Sequence, residues 1–395
     1  MSVYIIGTAH TKFGKLDGKS IYDLINEAGK SVFEDSPVEP RDVGGIWLAN
    51  FNAPVLNNQN HLAPLVLDVS NDLRFKPATS VENACASGMT AIIQAINALN
   101  AGEIDVAFVI GVEKMTGLDT KGVTFALAQA AHWEAEGSKG MTFPGLFAEF
   151  AKGYMKKYNI SLERLREAFA KVASKNHKNA LHNPLAHLPK DISYEQILNL
   201  PAEKNPIIAD PLRVYDCSLV TDGAAAIILT NKKEIANKYN CLVEIASIKH
   251  VSDFLRIDQK KNYTLEGAKI AIQGAFKEAN VTLNDLDFAE VHDCFTIAEI
   301  LIYEAMGLSK NGEGYKVIDD GTVLPDGRLP INLSGGLKAK GHPVGATGVS
   351  MAVVATRQLM GKPIGLSVKN ARIGLTFNLG GSAATNIAAI FKRID

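Results

Sequence analysis

Apolar residues follow two rhythms along this chain. Short unbroken runs at Val3–Ile6, Gly45–Ala49, Val106–Gly111, Leu242–Ile248, Phe288–Val291 and Gly374–Asn378 read as buried strands. Spacings of three and four read as helices at Ile21–Ala28, Gly267–Ala279, Ile297–Ala305 and Val349–Leu359. A further helix begins around Cys85 and runs through MTAIIQAINALNAG, with Met89, Ile92, Ile93, Ile96 and Leu99 on one face and Gly102 as its stop. Strands alternating with helices predict an α/β protein.

The pattern breaks between about Thr116 and Arg213, which is rich in Lys, Asn and Pro. The composition predicts a solvated, irregular insertion holding two helices, around Phe147–Lys157 and Leu162–His177. After it the alternation restarts, and the two parts share an order of elements. In the first, Cys85-Ala-Ser-Gly opens a helix and a later strand ends at Gly111. In the second, His342-Pro-Val-Gly opens a helix and a later strand ends at Gly380-Gly381. If this is an internal repeat, Cys85 and His342 stand at equivalent helix starts, and a pseudo-two-fold would bring them together.

Composition narrows the function classes. At 395 residues the chain is long enough for two or three well-buried domains, and 47% hydrophobic with 21% charged residues is ordinary for a globular protein. Forty-one basic against 42 acidic side chains give no net field to draw in nucleic acid or anionic membrane. No apolar run approaches the roughly 20 residues of a membrane span. The start, MSVYIIGTAHTKFG, reads as a first strand and not a signal peptide, and the end, FKRID, is not a peroxisomal tripeptide. A cytoplasmic location is the expectation. The four cysteines form neither a disulfide framework nor a C-x-x-C pair. Four of the nine histidines (His132, His177, His182 and His187) lie in the insertion, at spacings unlike a zinc set.

Four places can carry chemistry. Cys85 could simply be a buried cysteine, but a helix start favours thiolate, and its small neighbours Ala84, Ala86, Ser87 and Gly88 leave room for an acyl group. His292 and Cys294, two apart at a strand end, share a face; Cys294 could move a proton while His292 orients a hydrogen bond or water. A metal pair there lacks two further ligands. His342 could cap a helix, or act as base and oxyanion donor, with Gly341 and Gly345 permitting close approach. Gly380 and Gly381 follow an apolar strand and could offer bare N–H groups to an oxyanion. KGHPVGATG lacks the Gly-Lys-Ser/Thr ending of a phosphate loop, and no dinucleotide fingerprint follows the first strand.

In this order, ENACASG, EVHDCF, GGLKAKGHPVGATG and NLGGSAA resemble the thiolases, and most closely the branch typified by the thiolase domain of sterol carrier protein X. VYDCSLVTDGAAA and KNHKNALHNP add agreement, so the resemblance spans essentially the whole chain. It implies two similar halves, each a mixed five-stranded sheet, in five α-β-α-β-α layers with a loop domain inserted in the first. The implied division is 1–115 for the first part of the N-terminal half, 116–213 for the insertion, 214–241 for the return and 242–395 for the C-terminal half.

The resemblance also assigns roles. Cys85 matches the acylated nucleophile, His342 its activator, and Cys294 the acid/base for the second substrate's α-proton. His292 stands where many thiolases have Asn and would hold a water in an oxyanion hole. The N–H groups of Cys85 and Gly380 match a second hole, and Ser218 a loop serine near the pantetheine of coenzyme A. The commonest pattern places the second cysteine in a late Cys-x-Gly; here that place is Asn378-Leu379-Gly380, and Cys294 supplies the thiol. Acyl-CoA is implied as substrate, with no metal or other cofactor, and a homodimer or homotetramer as the assembly. Some prokaryotic relatives work in complexes with a synthase and a small zinc-ribbon/OB-type protein.

The expected activity is reversible condensation and thiolytic cleavage of a 3-oxoacyl-CoA, for example two acetyl-CoA to acetoacetyl-CoA. Transfer of an acyl group to a non-CoA acceptor on the same fold, and a scaffold subunit that binds acyl-CoA without turnover, are the competing readings. A β-ketoacyl synthase fits less well, having no second catalytic cysteine.

Overall fold

The computed structural model describes residues 2–239, 241–260 and 263–394. The first strand, β1 (Val3–His10), runs four residues beyond the apolar stretch that announces it and is buried along nearly its whole length. Helix α1 (Ile21–Asp35) opens on a capping box: the Ser20 hydroxyl accepts from the Asp23 N–H, and the Asp23 carboxylate accepts from the Ser20 N–H. Its buried stripe of Ile21, Leu24, Ile25, Ala28 and Val32 packs on the sheet. Strands β2 (Gly45–Ala49) and β3 (Ala78–Val81) follow. Then come α2 (Ser87–Ala101), stopped by Gly102 in the left-handed region (φ +75°), and β4 (Val106–Glu113).

Between β4 and the next strand lie α3 (Thr120–Ala128), α4 (Phe143–Tyr158) and α5 (Leu162–Asn179). The expectation of a solvated, irregular insertion is corrected here. Leu146, Phe147, Phe150 and Tyr154 of α4, with Leu165, Phe169 and Val172 of α5, are buried in one core with the second half. The Lys- and Asn-rich composition misled because several of those polar groups are themselves buried and paired. His177 is fully buried, its Nδ1 2.9 Å from the Leu188 carbonyl, and Asn179 donates to the Asn332 carbonyl at 3.1 Å. Among the described residues the insertion's four histidines form no metal-binding group.

The chain returns through β5 (Gly223–Thr230) and continues as β6 (Leu242–Ser252), α6 (Glu266–Ala279), β7 (Phe288–Val291) and α7 (Thr296–Met306). A π-helical turn at Gly336–Lys340 leads into α8 (Thr347–Leu359), and β8 (Ile373–Gly380) and β9 (Thr385–Ile394) close the fold.

The strand order is β3-β2-β4-β5-β1-β6-β9-β8-β7, one nine-stranded sheet. Outward from its middle, β1 pairs antiparallel with β5, β5 antiparallel with β4, β4 parallel with β2, and β2 parallel with β3. From β6 the same senses recur: antiparallel to β9, antiparallel to β8, parallel to β7, then a single parallel bridge from Ala289 to Ile331. The internal repeat is thus a pseudo-two-fold about the β1–β6 junction, where Val3, Tyr4 and Ile5 oppose Ile245, Glu244 and Val243. The second half's fifth strand is reduced to that bridge, and Pro330 beside it has no N–H to extend the ladder.

Helices α2 and α8 pack against each other in the middle of the molecule, in one core with β1, β4, β5, β6 and β9. Helix α1 covers the outer face of the first half, and α6 and α7 that of the second. This gives the α-β-α-β-α layering.

Candidate active site

The middle-layer helices meet at their N-terminal ends through glycine. A Cβ on Gly348 would lie 2.3 Å from the Met89 nitrogen, and one on Gly88 2.6 Å from the Val349 nitrogen. A Cβ on Gly345 would lie 2.5 Å from the Asn50 Cα and 2.8 Å from a Glu113 carboxylate oxygen. The glycines around His342 therefore let backbone touch backbone, so the close approach that the sequence suggested is made by the chain itself. Gly341, at φ +119°, packs against Thr221 and Phe13. Their effect is to bring the loop before α8 against the loop before α2.

Cys85 sits two residues before the first helical residue of α2, after Ala84 in the left-handed region (φ +48°). Ser87 fixes this turn: its hydroxyl donates to the Ala84 carbonyl at 2.6 Å and accepts from the Asn83 N–H at 2.8 Å. The thiolate expectation fails in the resting site. Burial pushes the Cys85 thiol up to about 12, outweighing the N–H groups of Gly381 and of Cys85 itself that favour its anion, and Glu113 adds to the rise. Of the glycine pair, Gly381 is the one whose N–H favours the Cys85 anion, and Gly380 pairs with Thr385 at the end of β8.

His342 is held by its Nδ1, 2.6 Å from the Thr347 hydroxyl, which itself donates to the Pro343 carbonyl at 3.0 Å. A hydroxyl has one proton, so Thr347 must accept from His342 Nδ1–H, which leaves Nε2 as a bare lone pair. Burial, then the Lys340 ammonium, push this imidazole down to about 3. It is neutral in the resting site and free to take a proton.

His292 and Cys294 are not on a strand face: β7 ends at Val291, and the Asp293 N–H turns back onto the Val291 carbonyl at 3.0 Å. Cys294 joins Cys85 and His342 in the wall of one cavity, whereas His292 packs edge-on against the His342 ring, centroids 5.0 Å apart at 88°. Burial raises the Cys294 thiol well above its usual value, and a charge on nearby Cys85 would raise it further. The two thiols therefore resist being anionic together. Ser218 lies in the same wall, its N–H on the Cys294 carbonyl at 2.9 Å.

The cavity is about 700 Å³, a size that suits a small-molecule ligand. Met115, Val123, Leu127, Phe143 and Phe295 make much of it apolar, and Lys15 brings a cation to its wall.

Sequence reasoning missed two positioning carboxylates. Asp293 accepts from the Leu337 and Lys338 N–H groups at 2.6 and 3.1 Å, anchoring the π-helical turn that leads to His342. Glu113 accepts from the N–H groups of Phe51, Asn52 and Gly345 at 2.8, 3.2 and 2.9 Å, tying the His342 loop to the end of β2. Burial lifts both to about 7; the Glu299 carboxylate adds to the rise at Asp293. Asp293 lies inside the HDCF motif and could have been suspected. Glu113, at the end of an apolar strand, carried no signal. Among the described residues, Cys85, His292 and His342 have a sulfur and one ring nitrogen each within 4.8 Å of one another, donor types that zinc accepts.

Comparison with known proteins agrees with this geometry. The family model "Thiolase, N-terminal domain" matches residues 3–233, and "Thiolase C-terminal domain-like" matches residues 250–393. Acetyl-CoA acetyltransferase of Methanothermobacter thermautotrophicus is 39% identical over 393 residues, covering 99% of each chain. Sterol carrier protein 2 of Oryctolagus cuniculus is 30% identical over 413 residues, covering 99% of this chain and 72% of that one. Among solved structures, the "Ltp2-ChsH2(DUF35) aldolase" superposes with a TM-score of 0.83 at 21% identity, covering 99% of this chain and 98% of that one.

Proposed function

The chain belongs to the thiolase family, and we propose that it is the acyltransferase that reversibly condenses and cleaves 3-oxoacyl-CoA through an acyl-Cys85 intermediate. The observation that carries this reading is the meeting of Cys85, Cys294 and the His342 ring in one cavity wall, with His292 against that ring. The acetyl-CoA acetyltransferase relative supports acetyl-CoA as the acyl donor.

The steps use the protonation states of the resting site. As the Cys85 sulfur attacks the thioester carbonyl, His342 Nε2 takes its proton. The N–H groups at Cys85 and the Gly380–Gly381 turn receive the developing oxyanion. The C–S bond to coenzyme A breaks, and Cys294 gives its proton to the departing thiolate. The site then holds an acylated Cys85, a cationic His342 and an anionic Cys294, with no net charge gained. Acylation removes the charge that Cys85 could oppose to Cys294, so the order of the two half-reactions follows from their proximity.

A second acyl-CoA enters, and the Cys294 thiolate takes its α-proton. His342 and a water held by His292 receive the enolate oxygen. The enolate carbon bonds to the acyl carbon, the bond to Cys85 breaks, and His342 returns the proton to the Cys85 sulfur. These steps call on no metal or redox group. Ser218 stands on the path of the pantetheine arm. Two or four copies, in the cytoplasm, is the assembly the family resemblance supports, and the DUF35 protein named with the aldolase neighbour supports a partner of that kind.

Acetyl-CoA/CoA exchange and acetoacetyl-CoA thiolysis, with longer 3-oxoacyl-CoAs and a no-CoA control, test the reading. Cys85→Ala should abolish both while remaining folded. Cys294→Ala should keep part of the exchange and lose about 10²–10⁴ in thiolysis, the usual worth of a positioned acid/base. Exchange retained by folded Cys85→Ala would sink the assignment.

A further inference from the structure

Asn378 stands on β8 where the commonest thiolase pattern has a cysteine, and it is fully buried. Its side-chain nitrogen Nδ2 is 3.0 Å from the Cys85 carbonyl oxygen and 3.0 Å from His292 Nδ1. These two contacts settle its orientation. A carbonyl oxygen can only accept, so the group facing it is the NH₂; flipping the amide would set two acceptor oxygens against each other. The same NH₂ faces His292 Nδ1 and has donors only. Nδ1 must therefore present a lone pair, and in a neutral ring the proton then sits on Nε2. The ring is neutral because burial, and then His342, push its pKa well below the ordinary value.

His292 Nε2 is buried and has no hydrogen-bond partner among the described residues. A buried donor of this kind is a group kept for something that arrives. The amide oxygen of Asn378 is also buried and without a partner among those residues. The residue tolerates that unpaired oxygen while both its N–H groups are used, one on the nucleophile's backbone and one on the histidine.

Building on the thiolase reading, we infer that Asn378 is a positioning residue that fixes His292 as the Nε2–H tautomer, a one-way donor to the enolate oxygen of the second thioester, directly or through one water. The two crossed histidines are then wired in opposite senses. Thr347 leaves His342 Nε2 bare, as a base must be, and Asn378 leaves His292 Nε2 protonated, as an oxyanion donor must be.

The direct test is the tautomer. Protein labelled with ¹⁵N-histidine is observed by two-bond ¹H–¹⁵N correlation, with the His292 signal assigned from a His292→Gln sample. Wild type should show His292 with its proton on Nε2. Asn378→Asp replaces the donor by an acceptor and should move the proton to Nδ1. In kinetics, Asn378→Asp should lose at least tenfold more in acetoacetyl-CoA thiolysis than in acetyl-CoA/CoA exchange, because removal of one oxyanion donor falls on the carbon–carbon step. An Nδ1–H signal in wild type overturns the inference even if the variant does not fold. So does an unchanged tautomer in Asn378→Asp, or an equal loss in the two reactions. Wild type without exchange or thiolysis would instead overturn the thiolase reading, and the spectra would still decide the tautomer.

Discussion

A thiol pushed up to about 12 beside an imidazole pushed down to about 3 is a pair that keeps its proton on sulfur until a substrate arrives. Burial is the first cause at both groups, and the helix start that should favour thiolate is outweighed by it. This makes a pH prediction. Alkylation of Cys85 by iodoacetamide should rise about tenfold for each pH unit between 7 and 10, following the thiolate fraction. Peptide mapping against Cys85→Ala reads the rate at this one cysteine, and a plateau by pH 9 would contradict the buried-thiol account. At this scale the sequence names the side chains that the fold brings together and misses their protonation, because burial is set by residues far away in the chain. The left-handed turn at Gly381 (φ +60°), which sets that residue's N–H to favour the Cys85 anion, likewise carries no signal beyond a glycine pair.

At the scale of elements, the site exists because α2 and α8 cross with no side chain between their first turns. Gly348→Ala would press a methyl group onto the Met89 nitrogen. The cost should be on the order of 3 kcal/mol, the upper range for overpacking. A chain of this length would then melt roughly 4 °C lower. Thermal unfolding measures the first effect. Exchange activity should fall as well, because the displaced helix carries the His342 loop away from Cys85. Gly102→Ala supplies the contrast: its φ of +75° disfavours a side chain, yet nothing lies within 4 Å, so it should cost about 1–2 kcal/mol and leave exchange intact. Helices with a clear apolar stripe, such as α2 and α8, were legible, as was β7 to its last residue. Strand β5 was not. Its GAAAIILT is buried throughout, and an alanine-rich run buried on both faces shows neither the period of a strand nor that of a helix.

Across the whole molecule, the insertion and the second half are joined through buried charge. Lys175 of α5 forms an ion pair with Glu299 (2.8 Å) and donates to the Asn176 amide oxygen (2.7 Å) and the Ile331 carbonyl (2.8 Å). The Asn176 nitrogen then bridges Glu299 and Asp293, at 2.7 Å to each. Asp293 in turn anchors the turn that leads to His342. Composition hid this link, because Lys175 and Asn176 sit in a stretch that reads as solvated surface. Lys175→Met would strand the Glu299 carboxylate without its cation, and breaking one side of a buried pair costs about 3–5 kcal/mol. Adding Glu299→Gln removes the stranded charge and should recover most of that loss, a coupling that denaturant titration of the two single variants and the double variant would measure. If the two losses simply add, the pair is not the tie between insertion and catalytic loop. If they couple, thiolysis by Lys175→Met should also fall, since the Asp293 anchor then faces an uncompensated Glu299 carboxylate and the His342 loop loses its fixed place.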